Sequence, residues 1–215
     1  QHADWNDEED LNEGTLRGGV IQNVTINMPQ SAYEAAGDDD RLIEGIRTRM
    51  EAARDVSLIK INEIKKRLIE GFLPFLSQPI DDKPYRIESF DYSYSNGQLK
   101  VKTKHEQILE GTPYLEPDKQ GVTIGALGLN EMLKAHTGHE LHESPESWRF
   151  GLKVIGEMRK IVEEFTEETG TYFGLVQSPA ESAAHRLALL DLDRYGLKAV
   201  VQGAQELGKN GVPEV

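Results

Sequence analysis

A chain of 215 residues with 38% hydrophobic and 28% charged side chains can build a sizeable globular core. Its formal net charge of −13 opposes general binding to nucleic-acid phosphates and to anionic membranes, and no apolar run approaches the ~18 residues of a membrane-spanning helix. There is no cysteine, which removes disulfides, thiolate metal sites and cysteine-based chemistry from these residues. The chain opens on Gln1 with no basic and apolar leader, as expected of a fragment or a processed chain.

Residues 1–17 begin with a stretch holding six acidic side chains and no Lys or Arg before Arg17, and predict an exposed loop or flexible end. The segment from Gly18 to Pro29 predicts a strand with unlike faces. Val20, Val24, Ile26 and Met28 alternate on one side with Gln22 among them; Ile21, Asn23, Thr25 and Asn27 alternate on the other. Two readings fit: an edge strand lining a polar cavity, or a half-exposed strand with a solvated polar face. From Asp38 to Leu76, apolar residues recur at helical steps through Leu42, Ile46, Met50, Ala53, Val56, Leu68 and Phe72. This predicts a long helix with an acidic start, a stop at Gly71 and Pro74, and room for a break near Asp55–Ser57.

Alternation on both sides of Asn96-Gly97 predicts a peripheral hairpin with strands at about Tyr85–Tyr94 and Leu99–Thr103. A short buried strand, Val122 to Leu127, then leads through a glycine turn into a helix ending at Gly138. Gly121, Gly125 and Gly128 let the backbone approach something closely, but their spacing is not a dinucleotide fingerprint. Ser144 and Pro145 begin another helix, with Leu152, Ile155, Met158, Val162 and Phe165 as its buried stripe and Gly170 as its stop. The order of strands and helices around the hairpin predicts an α/β layered or barrel architecture.

The last strand, Thr171 to Val176, runs into Ser178-Pro179-Ala180-Glu181-Ser182. Ser178 fits an N-cap, Pro179 a first helical position and Glu181 the far side of a capping box. Such a turn is a plain helix start; it also presents free N–H groups and a positive dipole end that suit a phosphate. His136, His139 and His142 step by three, but Gly138 interrupts their helix and no metalloprotease pattern is present. From the residues alone, the chain is an α/β domain with one plausible phosphate-binding turn.

Four segments together resemble the anaerobic (class III, glycyl-radical) ribonucleoside-triphosphate reductase family. They are "VTINMPQSAYEAAGDDDRL", "RMEAARDVSLIKINEIKKRLIEGFLPFL", "TIGALGLNEMLKAHTG" and "EETGTYFGLVQSPAESAAHRLALLD", in family order over about residues 18–196. The resemblance implies a ten-stranded α/β barrel, of which residues 18–215 form part, with the hairpin at about 85–104. It implies a cytoplasmic oxidoreductase that makes DNA precursors by reducing ribonucleoside triphosphates to deoxyribonucleotides. It also implies a glycyl radical, a structural zinc, an iron–sulfur and S-adenosylmethionine activase acting in trans, and a homodimer. The thiyl cysteine, the zinc ribbon, the glycyl-radical loop and the ATP-cone all fall outside these residues in the family pattern, so no cofactor is expected within them. The 215 residues alone are expected to give no turnover.

In the family, the matching turn lies at the substrate phosphates, which makes Ser178, Ala180, Glu181 and Ser182 substrate-binding candidates. Arg186 stands at the family's Arg; two roles fit it, added charge for the phosphates or a structural pair with Glu181 or Asp191, and the structural pair is the expectation. The family also places an amide near the reacting ribose, a role open to Gln22 or Asn23, with Thr25 and Asn27 lining the same cavity. The usual Gly-Arg-x-Asn pattern is replaced by "RGGVIQN", and Gln30 stands where the family often has Arg. Two alternatives remain. One is a non-catalytic nucleotide-binding or interaction module from the same barrel. The other is a different glycyl-radical enzyme acting on a small organic acid, which the "SPAES" and "GLNEM" blocks disfavour.

Overall fold

The computed structural model describes residues 18–199, so the acidic loop expected at residues 1–17 and the end of the barrel segment at 200–215 lie outside the described residues. In chain order the elements are β1 (Val20–Asn27), α1 (Met28–Ala35), α2 (Asp39–Ile69), β2 (Tyr85–Ser95), β3 (Gln98–Leu109), β4 (Gly121–Leu127), α3 (Leu129–Thr137), α4 (Pro145–Thr169), β5 (Phe173–Gln177) and α5 (Glu181–Tyr195). Short 3₁₀ turns lie between β3 and β4 at Pro117–Lys119 and after α5 at Gly196–Ala199. The described residues divide into two compact units, residues 18–21 with 56–121, and residues 22–55 with 122–199.

The second unit holds most of a three-stranded sheet of order β1-β4-β5. β4 and β5 are parallel, with Val122 opposite Phe173, Ile124 opposite Leu175 and Ala126 opposite Gln177. Parallel neighbours need a long crossover, supplied here by α3 and α4. Met28, Leu42, Ile46, Met50, Ile124, Met132, Ile161 and Phe165 are buried in this unit, and Phe165 meets Phe173 edge-on at 5.7 Å.

Three expectations need correction here. The first strand stops at Asn27, and Met28 begins α1. Pro29 stands in the first turn of that helix, where its missing N–H leaves no bond unmade, rather than at the end of a strand. α2 is one continuous helix through Asp55–Ser57. Leu152 is 53% exposed: the buried stripe of α4 runs through Ser147, Gly151, Val154, Met158, Ile161 and Phe165. At about 100° per residue, Leu152 falls roughly 120° round the helix from Met158. The α4 cap is as expected, with Ser144 accepting from the Ser147 N–H at 2.9 Å and Gly170 closing the helix at φ 69.

In the first unit, β2 and β3 form an antiparallel ribbon from Tyr85↔Leu109 to Ser95↔Gln98. Asn96 (φ 53) and Gly97 (φ 74) take the two left-handed positions that a two-residue turn with the strand twist requires. A bulge between Asp91 and Tyr92 shifts the register, and β3 runs six residues beyond the expected end at Thr103. The second half of α2 backs the ribbon. The buried Asn62 amide donates to the Phe90 carbonyl at 2.7 Å and accepts from the Phe90 N–H at 2.6 Å. That side chain stands in for a third strand at β2's outer edge.

Candidate functional site

The expected turn sits where β5 leaves the sheet, and its geometry differs from the simple capped start. α5 begins at Glu181; Ala180 is its N-cap (φ −131, ψ 57) and supplies no side-chain acceptor. Ser178 is therefore not the cap. It is 8% exposed, and its hydroxyl lies 3.0 Å from the Thr25 hydroxyl, 153 residues away on β1. That partner outcompetes the local N–H groups, and Pro179 next to Ser178 keeps it extended rather than helical. The Ala184 N–H reaches the Ala180 carbonyl at 2.7 Å, so the N–H groups of the turn before it have no intrahelical acceptor. Ser182 is exposed beside them, Ala180 is half-buried, and the Glu181 side chain lies outside the described residues.

The Thr25–Ser178 bond crosses the middle of the sheet. β1 and β5 flank β4, and neighbouring strands stand about 4.8 Å apart. Two short side chains meet over β4 only where β4 projects nothing between them, and Gly125 is that position. A Cβ built on Gly125 would overlap the Ser178 hydroxyl, lie 3.0 Å from Ser178 Cβ and lie 3.4 Å from Thr25 Oγ1. Gly128 makes a second close approach: it caps α3 at φ 78, and a Cβ there would sit 2.7 Å from the Pro29 ring. Gly125 and Gly128 thus approach protein neighbours.

Two residues along β1, the Asn27 amide donates to the Asp191 carboxylate at 2.8 Å, with Asp191 buried at 6% exposure. Asp191 is thereby taken by Asn27 rather than by Arg186, which is exposed. Tyr33 lies close by. Burial first, then the charges of Asp191 and Glu131, push its phenol up to about 12, so it stays protonated and donates to the Ala199 carbonyl at 3.3 Å. Its ring meets Tyr195 at 5.1 Å, and the Tyr195 hydroxyl donates to Glu34 at 2.9 Å. Gln30 reaches Tyr195 at 3.5 Å.

Of the expected site residues, the structure brings Thr25, Ser178 and the start of α5 together, and ties Asn27 to the body of α5. Asn23 shares a strand face with Thr25 and Asn27 by alternation and is exposed. Gln22 is on the opposite face and donates to the Asn23 carbonyl at 3.3 Å. Sequence reasoning missed the pairing of Asn27 with Asp191 and the sharing of Ser178 with Thr25; the isolated Gly125 within an apolar strand was the available signal. His136 pairs with Asp39 at 2.8 Å and stacks on Phe150 at 5.1 Å, whereas His139 and His142 lie beyond the helix end. Among the described residues, no group of three or more His, Cys, Asp or Glu side chains is placed to hold a metal ion.

Comparison with known proteins gives this geometry a context. The sequence profile described as "Anaerobic ribonucleoside-triphosphate reductase" matches residues 4–207. The anaerobic ribonucleoside-triphosphate reductase of Salmonella typhimurium is 24% identical over 207 residues, covering 95% of this chain and 25% of that protein. That of Enterobacteria phage T4 is 22% identical over 201 residues, covering 89% of this chain and 27% of the phage protein. The chain thus spans about a quarter of the length of the curated relatives it matches. Among solved structures, the anaerobic ribonucleotide reductase of Thermotoga maritima with glycerol in the active site superposes with a TM-score of 0.64 at 23% identity, over 86% of this chain and 25% of that one. The same enzyme in complex with dATP and CTP gives 0.63 at 23% identity, over 85% and 26%. The mixed α/β fold is therefore that of the anaerobic reductases. With the profile match extending over nearly its whole length, the chain belongs to the anaerobic ribonucleoside-triphosphate reductase family.

Proposed function

We propose that this chain is part of the catalytic subunit of an anaerobic ribonucleoside-triphosphate reductase and that the β5–α5 junction holds the phosphates of its ribonucleotide substrate. The observation that carries the site is the open start of α5: a helix with no side-chain acceptor at its N-cap, fixed in place by a buried Ser178. Backbone N–H groups there, with the positive end of the helix dipole, offset the chain's −13 charge locally. Ser178, Ala180, Glu181 and Ser182 frame that position. Asn23, on the face of β1 that carries Thr25, is the better placed of the two amide candidates for the ribose, and Gln22 serves it as a neighbour. Thr25 and Asn27 contribute by holding α5 rather than by meeting substrate directly.

The reading extends to the whole protein: a ten-stranded barrel, a homodimer, a separate activase and a cytoplasmic setting. Among the described residues no helix is long and apolar enough to cross a membrane. The segment has no cysteine to serve as the thiyl partner of a glycyl radical, and among the described residues no cluster of His, Asp or Glu is placed to hold a zinc. The role of these residues is binding and orientation.

Ser182→Glu tests the reading, because it adds a like charge at an exposed position beside the proposed phosphate seat. In the complete protein, it is expected to weaken ribonucleoside-triphosphate binding about tenfold or more while leaving the unphosphorylated ribonucleoside unaffected. Equal triphosphate affinity in parent and variant would remove the phosphates from this turn.

A further inference from the structure

We infer that Gly125 is a positioning residue for substrate binding, because it clears the space in which Ser178 and Thr25 bond across the sheet and so fixes the start of α5. This rests on the phosphate reading of that helix start.

Three observations carry it. Ser178 is the last buried residue before α5, two positions ahead of the N-cap Ala180. Its hydroxyl reaches over the middle strand to Thr25, and Gly125 is the point of crossing. Gly125 itself needs no glycine backbone, since only seven other glycines have positive φ among the described residues and it is not one of them. The residue is therefore small for the sake of the space above it. A second tether, Asn27 to Asp191, holds α5 further along its length, about 15 Å from its start at 1.5 Å per residue. Two neighbouring same-face residues of β1 thus grip the helix at its approach and at its body. Loss of the first tether would leave the helix in place but let its N-terminus move, and a displaced row of N–H groups no longer matches the phosphate oxygens.

The test uses equilibrium binding of a ribonucleoside triphosphate and of the matching unphosphorylated ribonucleoside to the complete protein. Binding needs neither activation nor turnover. Gly125→Ala is expected to weaken the triphosphate about tenfold or more and to leave the nucleoside within about twofold. Ser178→Gly removes both atoms that the new methyl would strike. Gly125→Ala combined with Ser178→Gly should therefore be no weaker than Ser178→Gly alone, so the two changes are non-additive. Thr25→Val keeps the shape, loses only the hydroxyl and should weaken the triphosphate by a smaller factor, about threefold to fivefold. It supplies the answer if Gly125→Ala does not fold.

The outcomes separate the two ideas. If the parent binds nucleoside and triphosphate equally well, the phosphate reading fails. If the parent prefers the triphosphate but Gly125→Ala and Thr25→Val both stay within twofold of it, the phosphate reading stands and the positioning role of Gly125 fails. A loss in Gly125→Ala that simply adds to that of Ser178→Gly also overturns the inference.

Discussion

The β1-β4-β5 sheet and the β2–β3 ribbon solve the same problem with opposite means. In the sheet, β4 is buried from Gly121 through Gly125, and its neighbours are tied by side chains that reach across it. In the ribbon, β3 is exposed along almost its whole length, and order comes from a two-residue turn, ion pairs and the Asn62 amide. Long-range fit decides the first; in the second a local turn sets the register and an amide from α2 backs it. An isolated two-stranded ribbon is marginal in water, so its backing matters more than its own pairs.

The largest expected effect is therefore in the sheet's own core. Phe165→Ala removes a 2%-exposed ring against Phe173 and should cost about 3–5 kcal/mol in chemical denaturation. Asn62→Ala tests the ribbon's backing. It strips both partners from the Phe90 backbone and should cost roughly 2–4 kcal/mol, with amide exchange rising along β2 while β4 and β5 stay protected. Protection lost equally in both sheets would mean that the ribbon and the sheet unfold as one.

What the sequence disclosed follows the same division. Asn96-Gly97, the Ser144 cap and the glycine stops at Gly138 and Gly170 rest on neighbours within a few residues, and all were legible. The 3.6-residue period located α2 and α4 but misplaced Leu152, because apolar character alone does not say which of two adjacent stripes meets the sheet. Pro29 reads from the sequence as a strand end, but proline ends strands and opens helices alike, and the fold puts it in the first turn of α1. Ser178 carried every mark of a cap, yet a hydroxyl 153 residues away claims it. Local rules had no term for Thr25. The candidate site was legible as a segment, therefore, and illegible as a set of bonds.

Two glycines sharpen the contrast at smaller magnitude. Gly97 has φ 74 and open space around its Cβ direction, so it is needed for its backbone alone. Gly97→Ala should cost about 1 kcal/mol, and Gly97→Asn should recover most of it, since Asn tolerates the left-handed region. At Gly125 the same pair of changes should run the other way, because the larger side chain collides more severely with Ser178. A Gly125→Asn variant as stable as Gly125→Ala would erase the distinction between a conformational glycine and a spatial one.

The smallest effect belongs to the ribbon's surface charges. Asp91 accepts from His105 across the strands at 2.7 Å and from Lys66 of α2 at 2.9 Å. The His105 hydrogen bond first, and Lys66 next, hold its carboxyl below the usual carboxylate range. A carboxyl lowered in the folded state adds stability that is fully present above its unfolded pKa and is lost as pH falls through the folded value. Asp91→Asn should thus be less stable than the parent at neutral pH, and the gap should close in acid, where both carry a neutral side chain. The pair is exposed to solvent, so salt should narrow the gap as well. Denaturation midpoints of the two proteins, compared at neutral and acid pH and at low and high salt, check this. A gap that survives both acid and salt would have to come from the shape of the hydrogen bonds rather than from charge. The ribbon would then depend, as the sheet does, on fit.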